Sequence, residues 1–301
     1  MIDLSKMTTE QVNPNTVHLS AMSIREAITT MNQEDYNAVK CIESQIDMIE
    51  KVITITSDAL ENGGRIIYIG AGTSGRLGLL DAVECPPTFG VDYNTVVGLI
   101  AGGDNAFVKA VEGAEDSKQF AVDDLKKIGL NEKDVVIGVA ASGRTPYVIG
   151  GLEYAAGINA FTCGLVCNRS SEIEAMCEHT IVVEPGPEVL TGSTRLKAGT
   201  ATKLVLNMIS TISMIRIGKV YNNYMVDVKM SNQKLITRGI NIICSVTDCS
   251  QETAQATLEK ADGSVKTAIV MVLLDCDKDS AEKALCKAKG RIQEIMDTKE
   301  D

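Results

Sequence analysis

The chain has 301 residues, of which 45% are hydrophobic and 4% aromatic, and its formal net charge is −11. A chain of this length buries one large domain with a small appendage. The acidic balance, with no basic cluster, excludes nucleic acid and anionic membrane as expected partners, so an anionic substrate has to be held by local geometry.

No apolar run approaches the roughly 20 residues of a membrane span. Residues 1–11 are polar and acidic with no apolar signal core, so the expected location is the cytoplasm. Nine cysteines are scattered without a Cys-x-x-Cys pair, mostly within apolar runs, as small buried hydrophobes are in a reducing compartment. Cys163, Cys167, Cys177 and His179 come nearest to ligand spacing, and His18 is the only other histidine. Neither a metal site nor a Ser-His-Asp hydrolase is expected.

Residues 1–35 read as an extended arm, of the kind that wraps a partner subunit, followed by a short helix from about Ser23. From 34 to 60, apolar residues at 39, 42, 46, 49, 53 and 60 predict one helix, which Asn62-Gly63-Gly64 ends. The stretch Arg65-Ile-Ile-Tyr-Ile-Gly-Ala-Gly-Thr-Ser-Gly-Arg76 then reads as strand, tight turn and helix. Gly70, Gly72 and Gly75 let the backbone turn and approach a ligand, and Thr73 and Ser74 add hydroxyls beside free N–H groups at the helix start. The run also matches the dinucleotide fingerprint. Thr73-Ser-Gly-Arg76 favours hydroxyl and amide contacts to a single phosphate.

After an apolar helical run at 77–83, Glu84-Cys-Pro-Pro-Thr-Phe-Gly90 predicts a rigid loop beginning at Glu84, because consecutive prolines oppose a helix. Residues 95–101 predict a second strand, 118–128 an amphipathic helix stopped by Gly129, and 134–140 a third strand. That strand runs into a second hydroxyl-rich turn, Ala141-Ser-Gly-Arg-Thr-Pro146, in which Ser142 and Thr145 can cap the next helix or hold a ligand. Residues 159–166 and 179–184 supply two further strands. A third hydroxyl segment, with Ser193 and Thr194, precedes a long apolar helix at 201–217. Strands alternating with helices predict an α/β fold, a parallel five-stranded sheet covered on both faces, with these turns along its carboxyl edge. Beyond Lys219, amphipathic segments at 226–243, 250–262, 265–274 and 280–296 read as a small three-helix appendage.

Five ordered segments carry a resemblance: Ile69-Gly-Ala-Gly-Thr-Ser-Gly-Arg-Leu-Gly78, Glu84-Cys-Pro-Pro-Thr-Phe-Gly90, Val111-Glu-Gly-Ala-Glu-Asp116, Ala141-Ser-Gly-Arg-Thr-Pro-Tyr147 and Leu190-Thr-Gly-Ser-Thr-Arg-Leu-Lys-Ala-Gly-Thr200. They resemble those of bacterial N-acetylmuramic acid 6-phosphate etherases, and Val226-Asp-Val228 also fits. The resemblance spans residues 9–288. It implies the sugar isomerase (SIS) fold, a homodimer, no metal and no cofactor. It also implies cleavage of the lactyl ether of N-acetylmuramic acid 6-phosphate to N-acetylglucosamine 6-phosphate and D-lactate in cell-wall sugar recycling. The implied organisation is an arm at 1–35, a SIS domain at 36–225 and a helical subdomain at 226–301.

The chemistry suits two carboxyl groups in different environments. Opening the sugar to its aldehyde acidifies the proton beside the acetamido group. A base removes that proton, an acid protonates the departing lactate oxygen, and water adds to the unsaturated aldehyde. By motif, Glu84 corresponds to the family's proton donor and Glu115 to its second acid/base residue, with Glu112 and Asp116 as confusable neighbours. Expected phosphate ligands are Gly72, Thr73, Ser74, Ser142, Gly143, Arg144, Thr145, Ser193 and Thr194. Arg76, Arg144, Arg195 and Lys197 can each reach a ligand or pair with a carboxylate at a dimer interface, and Glu188 is a candidate for sugar hydroxyls. Cys85 beside Glu84 is not needed as a nucleophile. Two other readings share the fold: an aldose–ketose sugar phosphate isomerase, and a non-catalytic sensor resembling glucokinase regulatory protein.

Overall fold

The computed structural model describes residues 7–109, 111–228 and 232–300. Helix α1 (Ile24–Lys40) starts at a capping box: the Ser23 hydroxyl accepts from Glu26 N, and the Glu26 carboxylate accepts from Ser23 N. The single helix expected over 34–60 is instead the end of α1, a short turn at Glu43–Gln45, and α2 (Ile46–Glu61). The break lets buried Gln45 turn inward, where its Oε1 accepts the N–H of Val182 at 2.9 Å. That N–H lies on the outer edge of the sheet and would otherwise be an unpaired donor.

Five strands form one parallel sheet: β1 (Ile66–Gly70), β2 (Val96–Ile100), β3 (Val135–Ala140), β4 (Phe161–Val166) and β5 (His179–Val182). Their order is β2-β1-β3-β4-β5. Strands β1 and β3 are buried throughout, which is why they read as unbroken apolar runs. The connections leaving β1 and β3 run to opposite sides of the order, and a crevice opens outside their carboxyl ends. At the amino ends, Asp134 accepts from Arg65 N, Nε and Nη2 and from Asn131 N and Nδ2. Arg65 in turn donates to the carbonyls of Ile128 and Gly129.

Helix α3 (Gly72–Phe89) follows β1 and includes Pro86 and Pro87 in its last turn. The rigid loop expected from Glu84 is therefore the end of a helix. Proline's fixed φ suits a helix even though its N–H is missing. The last turn is held by Gly90 N donating to Pro86 O at 3.0 Å and by the Thr88 hydroxyl donating to Glu84 O at 2.7 Å. Helix α4 (Lys118–Lys127) leads to β3, α5 (Pro146–Gly157) to β4, and the short α6 (Glu172–Met176) to β5. Helix α7 (Lys197–Arg216) follows β5. Ile67, Ile69, Val136, Tyr147, Val148 and Leu152 are central in the core formed by the sheet and α5.

The chain divides into two compact units: the described residues up to Val83 with Tyr93–Ser210, and Glu84–Asp92 with the described residues from Thr211 on. The second carries a hairpin, β6 (Val220–Tyr221) and β7 (Tyr224–Met225), and helices α8 (Gln233–Thr247), α9 (Gln251–Lys260), α10 (Val265–Leu274), α11 (Lys278–Lys287) and α12 (Ile292–Glu300). Among the described residues five helices thus stand where three were expected. The stretch 280–296 is broken at Lys289 and Gly290, both at positive φ, and 226–228 precedes helix α8. Ile243, Ala254, Ala268, Ile269, Ala281 and Ile292 form its core. Asp227, in the Val226-Asp-Val228 motif, pairs with Lys266 at 2.6 Å and Lys219 at 3.0 Å.

Residues 7–22, expected to reach a partner, fold onto their own chain; residues 1–6 of that arm lie outside the described residues. Thr9 N donates to Asn168 Oδ1, while Asn168 Nδ2 donates to Thr9 Oγ1 and to Ala141 O.

Candidate active site

The turn after β1 is built from backbone in close contact. A Cβ on Gly70 would stand 2.7 Å from Gly75 N, and one on Gly75 would stand 2.6 Å from Gly70 O. Only glycine at both places lets the first turn of α3 sit on the strand end, and this leaves Gly72, Thr73 and Ser74 at the helix N-terminus, where N–H groups lack intrahelical partners. Arg76 does not reach into this space freely. Its Nε and Nη2 donate to the carbonyls of Phe107 and Ala106 at 2.8 and 2.9 Å, which fastens the segment after β2 to α3.

A cavity of about 200 Å³ lies beside that turn, lined by Ala71, Gly72, Arg76, Ala106, Glu112 and Glu115, among others. Glu115 sits on a single 3-10 turn, Ala114–Asp116, anchored by buried Ala114, and its own side chain is exposed. The structure thus brings one sequence-predicted carboxylate to the glycine turn. Glu84 is exposed on α3 and belongs to the other compact unit. Neighbouring Cys85 is buried at 2% exposure.

The turn after β3 faces the same crevice. Ser142 Oγ accepts from Arg144 N at 3.3 Å, leaving its hydroxyl proton to donate. Thr145 occupies the N-cap position of α5 but makes no side-chain cap bond, so its hydroxyl is uncommitted. Gly143 has φ +67°, and a Cβ there would stand 2.3 Å from Ser171 Oγ. Gly143→Ala is therefore expected to destabilise the fold by about 1–3 kcal/mol, measurable by thermal unfolding; an unchanged Tm would contradict the turn geometry. Arg144 pairs loosely with Glu172 at 3.7 Å.

The third hydroxyl segment joins the first. A Cβ on Gly199 would stand 3.5 Å from both Thr73 Cγ2 and Thr194 O, which places the Ser193–Thr194 bend next to the glycine turn. Two buried charges hold it. Glu188 is fully buried, and its two carboxylate oxygens accept from Lys197 N and Ala198 N at 3.0 and 2.9 Å, capping α7. Burial pushes its pKa up. Glu188 is thus a fully buried anchor for the helix start. Lys197, 1% exposed, pairs with Glu34 at 2.5 Å, so it meets a carboxylate of its own chain instead of a ligand. Arg195 is exposed.

Glu34 also accepts from Asn13 and Asn15, each at 2.8 Å. Burial pushes its pKa up, but Lys197 and the two amides outweigh burial and hold it below the ordinary 4.5. An acid whose folded pKa is depressed stabilises the fold above its unfolded pKa, and that stability is lost as pH falls through the folded value. Glu34→Gln should lower Tm at neutral pH and flatten the decline in Tm below about pH 4.5. An acid limb identical to that of the unmodified chain would remove Glu34 from the linkage.

Sequence reasoning missed Asn168, which ties arm and Ala141 together, and Glu34, 163 residues from its partner; neither carries a local signal. Burial pushes the thiols of Cys163, Cys167 and Cys177 up, the latter two to about 12 and about 11. Among the described residues, no helix is long and apolar enough to cross a membrane.

Comparison with known proteins agrees with this fold. Two family profiles match: the glucokinase regulatory protein N-terminal SIS domain over residues 47–156, and the C-terminal lid domain of glucokinase regulatory protein over residues 222–264. A crystal structure from Listeria monocytogenes, described as a candidate sugar-phosphate isomerase, aligns at a TM-score of 0.50 and 16% identity over 64% of this chain and 92% of that one, a likeness of fold alone. The N-acetylmuramic acid 6-phosphate etherase of Francisella tularensis subsp. novicida is 58% identical over 90% of this chain and 92% of its own length. The protein of that name from Bacillus mycoides is 59% identical over the same shares. Across 270 residues and the ordered turns described above, the chain belongs to the N-acetylmuramic acid 6-phosphate etherase family.

Proposed function

We propose that this chain cleaves the D-lactyl ether of N-acetylmuramic acid 6-phosphate, releasing D-lactate and N-acetylglucosamine 6-phosphate. The observation that carries the reading is the cavity where the helix-start turn Gly72–Ser74 meets the carboxylate of Glu115. A phosphomonoester seats on the N–H groups and hydroxyls of Gly72, Thr73 and Ser74, with Ser142, Gly143, Arg144 and Thr145 from the second turn and Ser193 and Thr194 from the third.

With the sugar ring open, Glu84 protonates the lactate oxygen as the carbon–oxygen bond breaks, and Glu115 acts on the proton of the carbon bearing the acetamido group. The electron pair of that carbon–hydrogen bond forms the new double bond, and water then adds across it, so the sum is hydrolysis of an ether. Both glutamates are exposed in the single chain and open to a ligand and to a second subunit. A homodimer accords with α1, which leaves Ile24, Ile28, Tyr36 and Val39 exposed. The expected setting is the cytoplasm, in amino sugar recycling.

The test is to incubate the purified chain with N-acetylmuramic acid 6-phosphate and measure D-lactate. Stoichiometric release supports the reading, and binding of the sugar phosphate without release overturns it in favour of a sensor.

A further inference from the structure

The Val226-Asp-Val228 motif has no part in the site at the glycine turn, yet its middle residue carries a buried ion cluster. Val226 and Val228 are buried, and Asp227 lies between them just after β7. Its Oδ2 accepts from Nζ of Lys266, on α10, at 2.6 Å and pairs with Nζ of Lys219, just past α7, at 3.0 Å. Burial pushes the pKa of Lys266 down, and the Asp227 carboxylate opposes that shift. The ammonium thus depends on Asp227 to stay charged in this setting.

The same residue touches the end of α3. Gly90 has φ +66°, and a Cβ on it would stand 2.1 Å from Asp227 O and 3.4 Å from Asp227 Cβ. Gly90 N donates to Pro86 O at 3.0 Å, and the Thr88 hydroxyl donates to Glu84 O at 2.7 Å. The backbone of Glu84 therefore ends a short chain of contacts that begins at Asp227.

The last turn of α3 needs such an outside hold. Pro86 and Pro87 have no N–H, so neither can donate to the carbonyl four residues back, those of Ala82 and Val83. The turn that starts at Glu84 is for that reason weakly tied to the turn before it. The division between the compact units falls at this same place, between Val83 and Glu84. Glu84 is held by the helical unit, and Asp227 is where that unit grips the helix end through Gly90.

We propose that Asp227, clamped by Lys219 and Lys266, is a positioning residue that seats the last turn of α3 so that Glu84 presents its carboxyl group to the departing oxygen. The proposal rests on the etherase reading, in which Glu84 is the acid.

Asp227→Asn keeps the size of the side chain and removes its charge. D-lactate release is expected to slow roughly 10–100-fold, in kcat with KM little changed, as a displacement of about 1 Å in a reacting group does. Made in the Glu84→Gln chain, the same substitution should slow release no further, because the group it seats can no longer donate a proton. Hydrogen-exchange mass spectrometry should show faster exchange over residues 84–92 in Asp227→Asn and parental exchange over α4, in the other unit. Asp227→Asn combined with Lys266→Met leaves no buried ammonium unpaired, so it should fold and show the same two effects. Equal slowing in both backgrounds makes Asp227 a general support of the fold and overturns the proposal. Parental release in the combined variant overturns it too, as does parental exchange over 84–92. Release that is absent from the unmodified chain, or unaffected by Glu84→Gln, overturns the etherase reading of Glu84 instead, and the seating of 84–92 is then decided by exchange alone.

Discussion

Replacing Glu115 by Gln is expected to lower the rate of D-lactate release by roughly 10²–10⁴-fold, the usual contribution of one positioned acid or base. The substitution keeps the size and most of the hydrogen bonding of the side chain and removes only its ability to carry a proton. Glu115 is exposed on its 3-10 turn, where surface changes typically alter stability by no more than about 0.5 kcal/mol, so the loss should fall on turnover and leave Tm in place. Glu112→Gln, on the same cavity wall, serves as the control and should change the rate little. Glu84→Gln is expected to match Glu115→Gln in size, since lactate leaves poorly as an unprotonated alkoxide. An aldose–ketose isomerase has no ether oxygen to protonate and would keep its activity in that variant. Unchanged release in either variant removes that residue from the mechanism.

The second large effect falls at the opposite end of the sheet. Asp134→Ala is expected to cost about 3–5 kcal/mol, because it leaves a guanidinium without its counter-charge and several donors without an acceptor. The Asp134 side chain is fully buried and that of Arg65 is 17% exposed, with 2.6 Å between Nη2 and Oδ2. The acceptor serves the first residue before β1, the turn before β3 and the Arg65 side chain together, so its loss should loosen both central strands. A fall in Tm of roughly 10 °C follows for a domain of this size. D-lactate release below the new Tm should survive, since no member of the network lies at the carboxyl edge. A Tm within a degree or two of the parent would contradict the assignment.

The strands and the three hydroxyl turns were legible in the sequence because their causes are local. Ile66–Gly70 and Val135–Ala140 are unbroken apolar runs because both faces of the sheet are covered, and Gly143 marks a positive φ that other residues resist. Pro86 and Pro87 misled for the opposite reason: the rule that prolines end helices is also local, and here the helix keeps its course with a threonine hydroxyl and a glycine amide closing the final turn. The break between α1 and α2 depends on Gln45 reaching an amide 137 residues away, which no periodicity reveals. Lys197 and Glu188 carried the right chemistry for a ligand and proved to be satisfied within the chain. Their partners come from α1 and the first amides of α7, and only the fold brings these together.

The strand order also separates two kinds of selection. The ion network at the amino ends of β1 and β3 bears on whether the chain folds, and in the proposed function the turns at the carboxyl ends bear on what it binds. Substitutions at the hydroxyl positions of the turns leave that network untouched, whereas Gly70, Gly75 and Gly143 are held by close contacts and serve the fold as well. The same separation gives an experimental handle. A chain carrying Glu115→Gln should remain intact enough to capture the unreacted sugar phosphate, making it a ready trap for seeing the substrate in place.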